Sequence, residues 1–191
     1  MVPDRHGSGD QSMTIKLPLS LTVCALTLGA CTTIDRDEAP RVLARAALAD
    51  ANGRSVGSAK IEQTGLIVHL KATVEGLSPG EHGIHLHTAG KCEAPSFATA
   101  GGHLNPSAHQ HGTLNAAGPH LGDLPNIAVS ASGTGSLDVP LKGSSAEVLA
   151  QVLDADGTAV VVHAGPDDYK TDPAGNSGGR IACGVLVSEA R

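Results

Sequence analysis

Residues 83–123 read GIHLHTAGKCEAPSFATAGGHLNPSAHQHGTLNAAGPHLGD, and seven of the chain's ten histidines fall between His82 and His120. Imidazole is the commonest protein ligand for zinc and copper. In His85-Leu86-His87 two imidazoles stand two residues apart, a spacing that sends both to one face of an extended strand. Beyond them come His103, His111 and His120, with Asp123 three residues after the last. The bland alternative is a His-rich surface loop that holds no metal. The rest of the chain argues against it.

On either side of this segment, strand signals recur at hairpin intervals. Residues 41–49 and 55–63 flank Asn52-Gly53, a two-residue turn signal. Residues 66–74 (LIVHLKATV) are apolar and β-branched until Pro79-Gly80 breaks the run, and residues 83–88 form the next strand. Regular pattern resumes at 127–132 and 136–141, and residues 158–163 (TAVVVH) read as a buried strand. Residues 180–188 make the last one. Residues 146–152 fit a strand or a helical turn equally. With 24 glycines and 11 prolines in 191 residues, the chain is rich in turns and long enough for one domain. Phe97 and Tyr169 are its only Phe and Tyr and it has no Trp, so Val, Ile, Leu and Ala must build the core. About eight short strands with two long irregular stretches, 89–126 and 164–179, predict an all-β antiparallel sandwich or barrel. Long loops in a compact domain tend to carry function. The first follows His85 and His87 and the second follows His163, which predicts one site between strands and loops. A net charge of −6 points away from nucleic acid as a partner.

The N-terminal segment has a different character. Lys16 precedes an apolar run, residues 17–30, that ends in small residues before Cys31. A basic start, a short hydrophobic stretch and a small-residue cut site make a secretory signal, and the run is too short to span a bilayer. Met13 is the more natural start of such a signal, which makes residues 1–12 an upstream extension. Leu-Gly-Ala-Cys at 28–31 resembles the lipobox of bacterial lipoproteins, in which Cys31 becomes the lipidated first residue. An ordinary signal peptide with an incidental cysteine is the alternative, and either way the mature protein is exported. Residues 1–31 are thus a signal segment, 32–40 (TTIDRDEAP, counting from Thr32) a polar tether, and 41–191 the folded domain. Removing residues 1–30 takes two basic and two acidic side chains and leaves the net charge at −6. Cys24 leaves with the signal and Cys31 takes lipid, so Cys92 and Cys183 remain for one disulfide in an oxidising compartment. It would close about 90 residues, worth about 4–5 kcal/mol in the chain-entropy model.

Six motifs in order carry a family resemblance: GIHLH at 83–87, GGHLNP at 101–106, HG at 111–112, HLGDL at 120–124, VVH at 161–163 and GNSGGRIACG at 175–184. Over nearly all of residues 41–191 the chain resembles the bacterial copper/zinc superoxide dismutases of the exported, lipid-anchored kind. The resemblance implies an eight-stranded Greek-key β-barrel or flattened sandwich with two long functional loops. It implies copper on His85, His87, His103 and His163, and zinc on His103, His111, His120 and Asp123. His103 then belongs to both sets, its deprotonated ring bridging Cu(II)/Cu(I) and Zn(II). Asp167 matches the carboxylate that bonds the free ring nitrogens of His85 and His111. Arg180 matches the arginine that attracts and aligns the superoxide anion, and Cys92 and Cys183 match the family disulfide. The implied reaction takes two superoxide radicals to dioxygen and hydrogen peroxide, with His103 and Arg180 as the catalytic side chains. The implied location is the bacterial periplasm, membrane-anchored through lipid. Bacterial members occur as monomers or homodimers, and the sequence leaves both open.

Two competing readings differ in chemistry. A metal-buffering protein would need neither Arg180 nor a bridging His103, and a copper-only relative would not keep His111, His120 and Asp123. Among the remaining histidines, His69 reads as structural, whereas His82 and His109 read as exposed and uncommitted. Lys91 and Lys170 could add to a local field that attracts an anion.

Overall fold

The computed structural model describes residues 39–189. The expectations for the signal segment, for Cys31 and for most of the tether lie outside the described residues. Ten strands form in chain order: β1 (Arg41–Asp50), β2 (Ser55–Thr64), β3 (Ile67–Val74), β4 (Gly80–His82), β5 (Ile84–His87), β6 (Ile127–Val129), β7 (Gly135–Pro140), β8 (Ala159–His163), β9 (Arg180–Val185) and β10 (Val187–Ser188). The count exceeds eight because β4 stands apart from β5 at Gly83, and β10 apart from β9 at Leu186. Pro79-Gly80 reads as a break in the sequence, and the three-residue β4 that begins at Gly80 has too little pattern to show there.

All pairings are antiparallel, in the order β4-β6-β7-β3-β2-β1-β9-β8-β5, with β10 on β1. The two ends of this path, β4 and β5, are consecutive in the chain. Between them the Gly83 N–H donates to the Gly165 carbonyl and the Gly83 carbonyl accepts from the His163 N–H, each at 2.8 Å. The sheet thus nearly closes into a barrel, which removes most of its free edge. From β3 the chain passes β7 and β6 to reach β4, and from β7 it crosses to β8, connections of the Greek-key kind.

Alternation in the strands decides what fills the barrel. In β1 Ala44, Ala46 and Leu48 point inward, and in β3 Val68, Leu70, Ala72 and Val74 do the same. Ile61, Ile84, Leu86, Ile127, Val160 and Val162 join them in one aliphatic core without an aromatic ring. Among the described residues one α-helix, α1 (Ser145–Val152), lies between β7 and β8 and adds Val148 and Val152 to that core. Its start is set by a capping box, in which Ser144 and Glu147 satisfy each other's backbone N–H groups. The S-x-x-E pattern at 144–147 was the sequence signal that separates helix from strand over residues 146–152.

The strand β8 is buried on both faces. Its inner face meets the barrel core, and its outer face joins Ala159 and Val161 to Phe97, Ala100 and Cys183 in a second small cluster beneath the first loop. The Cys92–Cys183 disulfide, with its Cα atoms 5.7 Å apart, ties that loop to β9.

Leu70, fully buried at the centre of β3, faces a core with few ways to collapse around a void. Leu70→Ala should therefore cost about 2–5 kcal/mol of unfolding free energy in chemical denaturation.

Candidate metal centre

The site begins with the alternation of β5. Ile84 and Leu86 enter the barrel core, so His85 and His87 must emerge together on the outer wall. The neighbouring β8 ends at His163, where its pairing with β9 slips between Val162 and His163. Such an irregularity re-aims the side chain that follows it. The first loop then folds back against β5. Leu86 exchanges backbone hydrogen bonds with Gly122 and Leu104, and isolated bridges set His87 beside His103 and His85 beside Asp123. Chain positions 85, 87, 103, 123 and 163 meet on one patch of wall by this route.

Two groups of donor atoms result, each with its members within 4.8 Å of one another. The first comprises His85, His87, His103 and His163. The second comprises His103, His111, His120 and Asp123. All the histidine rings are buried. In the second group the Nδ1 atoms of His103, His111 and His120 lie 2.9, 3.0 and 3.1 Å from one oxygen, Asp123 Oδ1. A tetrahedral zinc with ligands at about 2.0–2.2 Å has ligand–ligand edges of about 3.3–3.6 Å, so these three distances are within a few tenths of an ångström of such edges.

The first group carries a sharper signature. Five buried side-chain polar atoms lack any hydrogen-bond partner among the described residues, and four are His85 Nδ1, His87 Nε2, His103 Nε2 and His163 Nε2. Buried polar atoms are otherwise almost always paired. The opposite nitrogen of each ring is occupied: His85 Nε2 by Asp167 (2.8 Å), His87 Nδ1 by the Gly101 carbonyl (2.9 Å), and His163 Nδ1 by the Gly178 carbonyl (3.1 Å). A carbonyl can only accept, so the rings of His87 and His163 carry their proton on Nδ1 and turn a bare lone pair toward the centre. Four converging lone pairs fit a cation that favours imidazole, as Cu(II) does.

Electrostatics agrees with both fits. Burial pushes the rings of His85, His87 and His163 down to about 3, about 2 and about 4, and it lowers His103 as well. Neutral imidazole is the form that ligates. His111 behaves differently: burial pulls it down, but the Asp123 and Asp167 carboxylates outweigh burial and raise it to about 9. Burial pushes those two carboxyls up, while their hydrogen bonds from the histidines and from backbone N–H groups hold them well below the ordinary carboxylate range. Two buried carboxylates need a compensating positive charge. A divalent cation held by the second group would supply it.

Asp167 joins the two groups. One oxygen takes His85 Nε2 and the other takes His111 Nε2, at 2.8 and 2.9 Å. Asn126, just before β6, grips the Asp167 main chain at both its N–H (2.8 Å) and its carbonyl (3.0 Å). Tyr169, whose hydroxyl takes the Asn126 N–H, donates its own N–H to Asp167 Oδ1. This support is not legible in the sequence, because a clamp on main-chain atoms has no residue pattern of its own. His82, expected to be exposed and uncommitted, is neither. That ring is buried, with Nδ1 2.7 Å from the His163 carbonyl and Nε2 2.9 Å from the Ser78 carbonyl. Only the unread strand β4 could have placed it there. His69 pairs with Asp138 on the outer barrel face, and His109 is exposed.

Arg180, the first residue of β9, is half-buried and stays charged although burial lowers its pKa. Its Nη1 and Nη2 donate to the Phe97 and Gly101 carbonyls, each at 2.6 Å. With His87, His103 and His163 it lines an open cavity of about 480 Å³. Two facing cation sites on the outer wall of an antiparallel barrel, beside an arginine-lined cavity, define a two-site β-barrel metalloprotein.

Comparison with known proteins gives the family. Residues 55–186 match the family model described as copper/zinc superoxide dismutase (SODC). A Cu-Zn superoxide dismutase from Aquifex aeolicus is 42% identical over 146 residues, covering 75% of this chain and 85% of its own. Among solved structures, a SOD-like protein from Bacillus subtilis superposes with a TM-score of 0.69 at 35% identity, covering 77% of this chain and all of its own. The Cu/Zn superoxide dismutase from Brucella abortus does so at 0.60 and 30%, covering 78% and 100%. The chain belongs to the copper/zinc superoxide dismutase family.

One glycine of the second loop is indispensable to this geometry. A Cβ on Gly175, whose φ is +63°, would stand on Asp167 Oδ1 and press on His111 Nε2. Gly175→Ala should weaken zinc binding by about 10–100-fold in chelator competition, with the far-UV circular dichroism of the barrel unchanged.

Proposed function

We propose that His85, His87, His103 and His163 hold copper, that His103, His111, His120 and Asp123 hold zinc, and that the chain uses this pair of sites to disproportionate superoxide. The observation that carries this reading is the set of four partnerless imidazole nitrogens converging beside Arg180. Two superoxide anions and two protons give one dioxygen and one hydrogen peroxide. Copper held by these four histidines would supply the one-electron redox chemistry that the reaction needs.

The protein's own groups do the rest. Arg180 attracts the anion and, anchored by two carbonyls, holds it in one orientation. His103 is the ring common to both sites: Nδ1 faces Asp123, whereas Nε2 faces the cavity without a partner. That Nε2 can hold a proton beside the bound anion and pass it to the departing peroxide. Asp167 keeps His85 and His111 in orientation, so neither ring turns during the reaction. A four-ligand zinc is a closed structural site, and it would keep the carboxylates neutralised throughout.

The location follows from other observations. Residues 1–31 act as a secretory signal ending in the lipobox-like Leu28–Cys31 stretch, Cys31 carries the lipid, and residues 32–40 tether the barrel to a membrane facing the periplasm. The apolar run at 17–30 and the Cys92–Cys183 disulfide support this, since such bonds persist in oxidising compartments. Among the described residues no helix is long and apolar enough to cross a membrane.

Pulse radiolysis of the metal-loaded protein tests the activity, and a rate of superoxide loss equal to that of buffer would leave only metal storage. His163→Ala should abolish copper binding and spare zinc in metal analysis. Arg180→Ala should keep both metals and slow superoxide loss about tenfold or more, the scale expected when a positioned charge is removed from an anion's approach.

A further inference from the structure

We infer that Asn105 is a positioning residue for the zinc cluster, acting through the main chain of His109 on the ring of His120. The inference rests on the ligand assignment proposed above. Asn105 stands two residues after His103, and its amide spans the turn that follows. Oδ1 accepts the His109 N–H at 3.0 Å, and Nδ2 donates to the His109 carbonyl at 2.8 Å. Inside the turn Ala108 sits at φ 51°, a left-handed conformation that alanine avoids when nothing imposes it. The Asn105 clamp and the Ala108 N–H bond to the Asn105 carbonyl close the turn around it.

The same His109 carbonyl takes the Nε2–H of His120 at 3.1 Å, so Asn105 and His120 occupy its two lone pairs. Because a carbonyl cannot donate, this bond places the His120 proton on Nε2. It leaves the Nδ1 lone pair, 3.1 Å from Asp123 Oδ1, for a cation. His109 answers with a bond in the opposite direction: its Nδ1–H donates to the Pro119 carbonyl at 3.0 Å. Two reciprocal bonds thus clasp residues 105–109 to residues 119–120.

His120 needs this support more than His85, His87 or His111 does. The outward nitrogens of His85 and His111 rest on the buried Asp167 carboxylate. That of His87 rests on the Gly101 carbonyl, which Arg180 also grips. The partner of His120 is a carbonyl on an exposed turn, and the Asn105 amide is the side chain that holds it. Losing the clamp should free the turn, then the carbonyl, and then the orientation and tautomer of His120.

The test measures zinc affinity by chelator competition and the d–d absorption of the protein carrying Co(II) in the zinc position. Asn105→Ala should weaken zinc about 10–100-fold and reduce the tetrahedral Co(II) bands, with copper affinity within about twofold of the parent. Asn105→Asp keeps an acceptor for the His109 N–H but loses the donor to its carbonyl, and should fall between the two. Asn115→Ala is the control: the Asn115 side chain caps Ala117 and reaches Gln110 and the Lys170 carbonyl in the same region but bonds no ligand's partner, so zinc affinity should not move. Parent-like zinc affinity and Co(II) bands in Asn105→Ala would overturn the inference, as would an equal loss in Asn115→Ala. His120→Ala separates the two levels. If it keeps parent zinc affinity, the ligand assignment falls and this inference with it. If it loses zinc while Asn105→Ala does not, only the role of Asn105 falls.

Discussion

A single buried imidazole with its two nitrogens turned to different clusters governs the layout of this protein. His103 can look both ways only if β5, the returning first loop and the end of β8 hold their places to a fraction of an ångström. Its Nδ1 lies 2.9 Å from Asp123, while its Nε2 faces three other rings and finds no partner in the protein. Such a ring would be a costly defect in an ordinary core. Here it is consistent with a chain shaped to surround cations.

The barrel supplies the rigidity and the loops supply the donors. Aliphatic side chains fill the interior, so the wall that carries His85 and His87 is backed by Ile84, Leu86 and Val160 rather than by anything polar. The first loop adds a small apolar cluster and a disulfide, and polar clamps hold the ligand-bearing parts of both loops. Asn126 grips the main chain of Asp167, and Arg180 grips the carbonyl that orients His87. A carbonyl that orients a ring does so only as well as it is itself held, which is why these supports matter as much as the rings they serve.

How much of this could be read in advance differs from element to element. The strands β1, β2, β3 and β8 were legible because their apolar residues alternate or run unbroken between clear turns. The spacing of His85 and His87 was legible for the same reason, since a period of two fixes the face. The strand β4 was not: three residues next to a proline carry too little pattern, and with β4 went the burial of His82. The helix α1 was ambiguous in its apolar pattern and decided by its capping box. The two groups of site residues emerged from a family resemblance resting on ordered motifs, because positions 85, 103, 120 and 163 have no local rule that joins them.

By itself the sequence determined an all-β domain with an aliphatic core, two long loops rich in potential ligands and two cysteines within the folded region left to pair. These follow from periodicity, composition and counting, which are properties of neighbours along the chain. The tertiary structure alone decided which nitrogen of each ring is bare, which carbonyl or carboxylate holds the other, and how Asp167 comes to stand between two histidines. Those are contacts between residues up to 82 positions apart. Only closure of the barrel, with the loops folded back against its wall, brings them within hydrogen-bonding reach.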